Sequence, residues 1–275
     1  MHPRKFFDGK VIWITGASGG LGRELALVLS KFNVKLILSA RQDLELKETK
    51  RLSNLPDHRC LIIPLDLTQF KEDHIEMIKD RVLLKFGSLN LLIHNASLSQ
   101  RSFAHETLDP VVRKIMETNF FGPIKLTKCV LPTLLKSESP QIIIMSSLAG
   151  KFGVPLRSTY SAAKHALHGF FESMKLELDK KIDISFFVLS GVKTEAAKHA
   201  LNGDGSVNNR LDIWHSRTMP VEECARIIVN EIPKKKHEVV IGPAGKLGVF
   251  LKMHFPYIHR RLLIRFSSKE IKARM

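Results

Sequence analysis

Apolar residues along this chain gather into short β-branched runs, separated by glycine turns and by stretches with helical spacing. The run at residues 11–14 is followed at once by Thr15-Gly-Ala-Ser-Gly-Gly-Leu-Gly22. Over 23–32 the apolar positions Leu25, Ala26, Val28 and Leu29 fall on one helical face, so the pattern predicts strand, glycine turn, helix. Further strands are expected at 34–38, 60–65, 89–93 and 239–241, and a buried strand is expected to end with the apolar run 142–145. A long helical region is expected over 109–135. It carries Asn119 and Gly122 amid apolar residues, and both are mildly unfavourable inside a helix. The pattern predicts an interruption there, with a side chain or a freed carbonyl facing a site; a plain polar kink is the alternative. Pro220-Val-Glu-Glu predicts a helix start with acidic residues in its first turn.

Composition adds bounds. The chain has 275 residues, 44% hydrophobic and 25% charged, enough for one large domain or two small ones with a buried core. Cys60, Cys129 and Cys224 are far apart, and read as small residues in a reducing compartment, with no disulfide frame and no metal site. No apolar run reaches the length of a membrane span, and the stretch MHPRKFFDGK is too polar for a signal peptide.

The candidate chemistry lies at strand ends. Glycines let the backbone approach a pyrophosphate, and a helix amino terminus offers free N–H groups, so Gly16, Ser18, Gly19, Gly20, Leu21 and Gly22 are candidate cofactor contacts. An ordinary strand-to-helix turn is the alternative. After the second strand, Arg41 suits the 2′-phosphate of NADP(H), with Ser39 a second contact; a solvated surface arginine is the alternative. Asp66-Leu67 is placed for a carboxylate to meet the adenine amino group. Small residues after the fourth strand, Asn95-Ala96-Ser97, fit backbone passing close to a cofactor, which would make the glycosylation sequon there incidental. His94 has no partner at ligand spacing and is expected to be packed or solvated. Tyr160 and Lys164 fall one helical turn apart, where an ammonium stabilises a phenolate. A phenol tuned this way exchanges a proton with a carbonyl or alcohol oxygen. The hydroxyl of Ser147 would hold the same oxygen.

Together Thr15-Gly-Ala-Ser-Gly-Gly-Leu-Gly22, Asp66-Leu67, Asn95-Ala96, Asn119, Ser147 and Tyr160-Ser-Ala-Ala-Lys164 resemble the short-chain dehydrogenase/reductases, over roughly residues 9–243. Within that family Leu38-Ser-Ala-Arg41, Leu98-Ser-Gln-Arg-Ser102, Leu126-Thr-Lys-Cys-Val-Leu-Pro132 and Lys164-His-Ala-Leu-His-Gly-Phe-Phe171 look like the member-seven group, near the 11β-hydroxysteroid dehydrogenase type 1 branch. The resemblance implies an α/β Rossmann domain over 1–243, a doubly wound parallel sheet of about seven strands with helices on both faces. It implies Tyr160 as proton donor and acceptor, Lys164 on the tyrosine and the nicotinamide ribose, and Ser147 orienting the substrate oxygen. Asn119 would hold a water that extends a proton relay through Lys164. Val192 and Thr194 join the cofactor contacts, and a homodimer is expected. Ser97 and Ser190 stand where the family usually has glycine and proline. Gly19 stands where many NADP enzymes place a cation, which leaves Arg41 to carry that preference. A mobile substrate lid is expected beyond Thr194.

The implied activity is NADP(H)-dependent interconversion of a carbonyl and an alcohol on an apolar substrate such as a steroid, retinoid or other lipid. The alternative is a cofactor-binding scaffold without turnover. The formal net charge is +16, and residues 234–275 hold eleven Lys or Arg against two Glu. Apolar and basic residues interleave in the extension 244–275, which suits an anionic lipid interface. The resemblance to the member-seven group implies the endoplasmic reticulum, where this extension is expected to attach the protein peripherally to the membrane; the cytoplasm is the alternative location. A helix docked on the body with solvated charges is the plain alternative for the extension. No nucleic-acid-binding motif accompanies the charge.

Overall fold

A computed structural model of the chain describes residues 2–69, 72–211 and 218–272. Its strands are β1 (Val11–Thr15), β2 (Lys35–Ala40), β3 (Cys60–Pro64), β4 (Leu91–His94), β5 (Gln141–Ser147), β6 (Asp183–Leu189), β7 (Val192–Lys193), β8 (Met219–Pro220) and β9 (Glu238–Ile241). Seven of them form one sheet in the order β3-β2-β1-β4-β5-β6-β9, while β7 and β8 pair separately. Every pairing in the large sheet is parallel. The helices are α1 (Pro3–Phe7), α2 (Gly20–Leu29), α3 (Asp43–Leu52), α4 (Glu72–Phe86), α5 (Asp109–Met116), α6 (Gly122–Leu135), α7 (Ser158–Leu178), α8 (Val221–Glu231), α9 (Pro243–His254) and α10 (Pro256–Lys272).

Strand alternation divides the core into two layers. Ile12 and Ile14 of β1 face a cluster built with α1, α2, α3 and α8, which includes Leu25, Leu46 and Ile228. Val11 and Trp13 face the opposite cluster, built with α4, α6 and α7, which includes Val82, Leu126 and Phe171. A parallel sheet covered on both faces reads as unbroken apolar runs, and all five residues of β1 are buried. The polar amino-terminal stretch conceals α1, which is too short to persist alone. Phe6 and Phe7 hold it by entering the core, and the Phe7 ring lies 5.1 Å from Phe32. Burial of each ring stabilises it by roughly 1.5–3 kcal/mol.

The helical region at 109–135 is interrupted at the expected place. Residues Glu117–Phe121 form a π-helical turn between α5 and α6. The sheet order reverses at β1, whose neighbours are β2 and β4. Such a switch point opens a crevice at the carboxyl ends of the strands. The expected lid extends into 212–217, and the basic extension into 273–275; both stretches lie outside the described residues.

Candidate active site

The glycine turn crosses the end of β1 and is strapped to the end of β4. A Cβ on Gly16, whose φ is +67°, would lie 2.7 Å from Cα of Ala96, and one on Gly22 would lie 2.0 Å from the Gly16 carbonyl. Only glycine lets these three backbone segments meet. The Asn95 amide donates to the carbonyls of Thr15 and Gly16, both at 3.1 Å, and Thr15 Oγ1 accepts from the Asn95 and Ala96 N–H groups. The side chain of Asn95 is therefore a strap under the turn. Two residues missed in the sequence tighten it from the other side. Thr49 Oγ1 donates to the Ala17 carbonyl at 2.9 Å, and Arg23 Nη2 donates to the Ser18 carbonyl at 2.6 Å. Helix α2 begins with Gly19 as its cap and no side-chain cap, so its first N–H groups remain for an anion. Thr194 leans over this end, its Cγ2 3.5 Å from where a Gly20 Cβ would stand.

Tyr160, Lys164 and Ser147 surround the end of β5. Lys164 is 3% exposed, and its ammonium donates to the Met145 carbonyl at 2.9 Å. The same nitrogen lies 5.6 Å from the centre of the Tyr160 ring. Burial pushes the Lys164 pKa below the usual lysine value, opposed by the charge Tyr160 can carry. Tyr160 is half-buried against Val111, Ile115 and Leu201, with Leu98 beside it, so the phenol borders an apolar wall. Ser147 closes β5 and caps the following turn, its Oγ accepting from the Ala149 N–H at 3.2 Å.

Gln100 was also missed, and it fixes where Tyr160 begins its helix. Helix α7 has no side-chain cap from Arg157 at its start. Instead the fully buried Gln100 supplies one: its Oε1 accepts from the Thr159 N–H at 2.9 Å and the Tyr160 N–H at 3.3 Å. Its amide nitrogen donates to Thr107 and Ser158 hydroxyls at 3.1 and 3.2 Å. No local pattern announces a cap donated from 59 residues away.

Asn119 sits in the π-helical turn with its side chain fully engaged. Its Nδ2 donates to the carbonyls of Leu98 and Ile115, at 2.7 and 3.0 Å. Its Oδ1 accepts from the Leu98 N–H and the Ser97 hydroxyl, at 2.9 and 2.8 Å. The expectation of a water held by Asn119 is corrected for the side chain, which spends three of its bonds on the Ser97–Leu98 loop and one on Ile115. The same bonds account for Ser97, whose hydroxyl contributes to this clamp.

Ser39 is a second correction. Strand alternation turns it to the Trp13 face, where it is 1% exposed and its Oγ accepts from the indole N–H at 2.8 Å. It does not reach the surface where a 2′-phosphate would sit. Arg41, two residues on, is exposed at the crevice edge. A Cβ on Gly19 would meet nothing within 4 Å, so packing does not forbid a side chain there. Asp66 turns Oδ1 onto the Thr68 N–H and hydroxyl at 2.9 and 2.8 Å, and Leu67 is buried against Gly122. Val192 is half-buried in β7. His94 is packed, as expected: its Nε2 pairs with Thr127 Oγ1 at 2.7 Å.

A sequence model of the short chain dehydrogenase family matches residues 10–204. The chain is 37% identical to "Dehydrogenase/reductase SDR family member 7" of Mus musculus over 93% of its length and 77% of that protein. Among solved structures, a short chain dehydrogenase/reductase from Burkholderia phymatum in complex with NAD superposes with TM-score 0.79, at 21% identity, over 92% of this chain and 95% of that one. A short chain dehydrogenase from Shigella flexneri complexed with NADP superposes with TM-score 0.74, at 20% identity, over 86% of this chain and 98% of that one.

Proposed function

Because the chain belongs to the short-chain dehydrogenase family of oxidoreductases, we propose that it interconverts a carbonyl and an alcohol on an apolar substrate, with NADP(H) as its cofactor. The observation that carries this reading is the buried Lys164 ammonium one helical turn from Tyr160, at the end of β5 beside Ser147. A nicotinamide dinucleotide fits the residues present: the tight Gly16–Gly22 turn, held close by Gly16 and Gly22, and the uncapped start of α2 suit a pyrophosphate. When bound, it supplies or accepts the hydride.

The rest of the chemistry belongs to this chain. In reduction, the Tyr160 hydroxyl passes its proton to the substrate oxygen as negative charge develops there; in oxidation, the phenolate takes the alcohol proton. Lys164 holds a positive charge beside that phenolate in a water-poor setting, where it counts for more than in solvent. Ser147 donates a hydrogen bond that fixes the substrate oxygen near the phenol. Gln100 holds the start of the helix that carries Tyr160 and Lys164, and the Asn119 clamp holds the Ser97–Leu98 loop beside Tyr160. The apolar wall of Val111, Ile115 and Leu201 beside Tyr160 supports an apolar substrate, such as a steroid, retinoid or other lipid-like carbonyl.

NADP(H) is favoured over NAD(H) because the end of β2, Ser39-Ala40-Arg41, presents an exposed arginine and no acidic residue. The test is turnover of a panel of apolar ketones, aldehydes and alcohols with each cofactor. NADPH should support a higher kcat/KM than NADH, and Arg41→Asp should reverse or erase that preference, by at least about tenfold in the ratio. An unchanged ratio in the variant removes Arg41 from cofactor choice.

A further inference from the structure

Helices α9 and α10 leave the body of the molecule along a narrow seam. On α9 only Gly245 is buried, and on α10 only His259. A Cβ on Gly245 would lie 2.9 Å from Ser190 and 3.6 Å from Leu148, and one on Gly248 would lie 3.7 Å from Phe152. The His259 ring meets Phe152 edge-on at 4.5 Å. The opposite face of the pair is covered by nothing among the described residues. Leu247, Phe250 and Met253 follow one another at three-residue spacing on it, 58%, 51% and 72% exposed. Phe255 and Tyr257, 48% and 62% exposed, follow at the corner between the helices. Nearly half of the exposed large apolar side chains among the described residues fall in this short stretch of chain. Isolated exposed apolar residues are ordinary; a contiguous set of this kind marks a surface meant to be covered.

The charges say what covers it. Residues 246–272 hold seven Lys or Arg and one acid, Glu270. That acid is turned inward, 3.7 Å from the guanidinium of the nearly buried Arg101. The outward surface is therefore apolar and uniformly cationic, with Arg261 stacked over the Tyr257 ring at 4.7 Å. A second copy of this chain would bring like charge against like charge. A nucleic acid or an acidic protein would engage the cations but leave the large apolar side chains in water. Aromatic and aliphatic side chains set among Lys and Arg match a layer with acyl chains below and phosphates above.

We propose that α9 and α10 form a docking face for an anionic phospholipid surface, with the apolar side chains entering the acyl boundary and the cations meeting the headgroups. Because α9 rests on the turn that follows Ser147, docking would hold the mouth of the candidate active site against the bilayer, where an apolar substrate is concentrated. That consequence rests on the reaction proposed above; the docking itself does not, and its measurement reads binding alone.

The test is flotation of the full chain with vesicles of phosphatidylcholine containing about 30 mol% phosphatidylserine, against pure phosphatidylcholine. The anionic vesicles should carry the protein and the neutral ones should not, and binding should weaken as salt shortens the Debye length from about 10 to about 3 Å. The variant Arg260→Gln/Arg261→Gln/Arg265→Gln should lose about fivefold in partition per charge removed. Phe250→Ser/Phe255→Ser/Tyr257→Ser leaves the charge intact and should lose at least about tenfold. Both sets are exposed, and an unchanged melting temperature checks that each variant folds. Three results would overturn the proposal. The first is no flotation of the parent protein, and the second is full binding by either variant. The third is a concentration-dependent dimer that the apolar variant splits, which would make a second copy the cover of this face.

Discussion

Burial outweighs the ability of His94 to hold a proton. The ring is enclosed between Thr127 and Phe171, and burial, reinforced by the nearby Lys164 charge, lowers its pKa to about 3. The unfolded chain returns the ring to its ordinary value near 6.5. Protonation therefore favours the unfolded state, so this contribution to stability is complete above about pH 6.5 and declines as pH falls toward 3. The slope is about 1.4 kcal/mol per pH unit across that window. Thermal unfolding from pH 7 to pH 4 should show a steeper fall in Tm for the parent protein than for His94→Asn; parallel curves would contradict this. At the scale of single residues the sequence revealed what local geometry dictates. Tyr160 and Lys164 were legible because helical spacing alone places them together. Ser39 was misjudged because its partner, Trp13, lies on a different strand, and nothing in the run Leu38-Ser-Ala-Arg41 reports which side chain faces the crevice. The Asn119 clamp was hidden for the same reason: its partners at Leu98 are brought near only by the fold.

Elements were legible where their signal is continuous and obscure where it is borrowed. Strands buried on both faces announce themselves as apolar runs, and those expected from the sequence lie within a residue or two of their places; β6, whose run is interrupted by Ser185, was not among them. The break in the long helix was visible because Asn and Gly interrupt an apolar pattern. That the break is a π-helical turn was not, since it depends on where the extra residue is absorbed. Helix α7 borrows its cap from Gln100. Gln100→Ala should lower stability by about 1–3 kcal/mol, because two buried N–H groups lose their acceptor. It should also reduce kcat more than it raises KM, because Tyr160 is one of the two residues released. Equal stability and unchanged kcat would show that the cap is idle. Helix α1 was the opposite case: a polar-looking stretch whose two phenylalanines become core only when α2 and the sheet are present.

Across the whole molecule the glycine turn, the strap from Asn95 and the Tyr160–Lys164 pair converge on the carboxyl ends of β1, β4 and β5 because the sheet reverses its order at β1. That convergence is topological. Periodicity alone does not give the sheet; the resemblance of several motifs taken together implied a doubly wound parallel one, and its strand order came from the structure. The proposed reaction depends most directly on Tyr160. Tyr160→Phe removes the transferable proton and leaves the ring's packing against Val111 and Ile115 in place. With a substrate identified from the panel, kcat for NADPH-dependent reduction should fall about 10²–10⁴-fold, while the Kd for NADPH, measured by fluorescence titration, stays as in the parent protein. A variant that keeps its activity with cofactor binding intact would contradict the assignment of Tyr160 as the acid, and with it the proposed reaction.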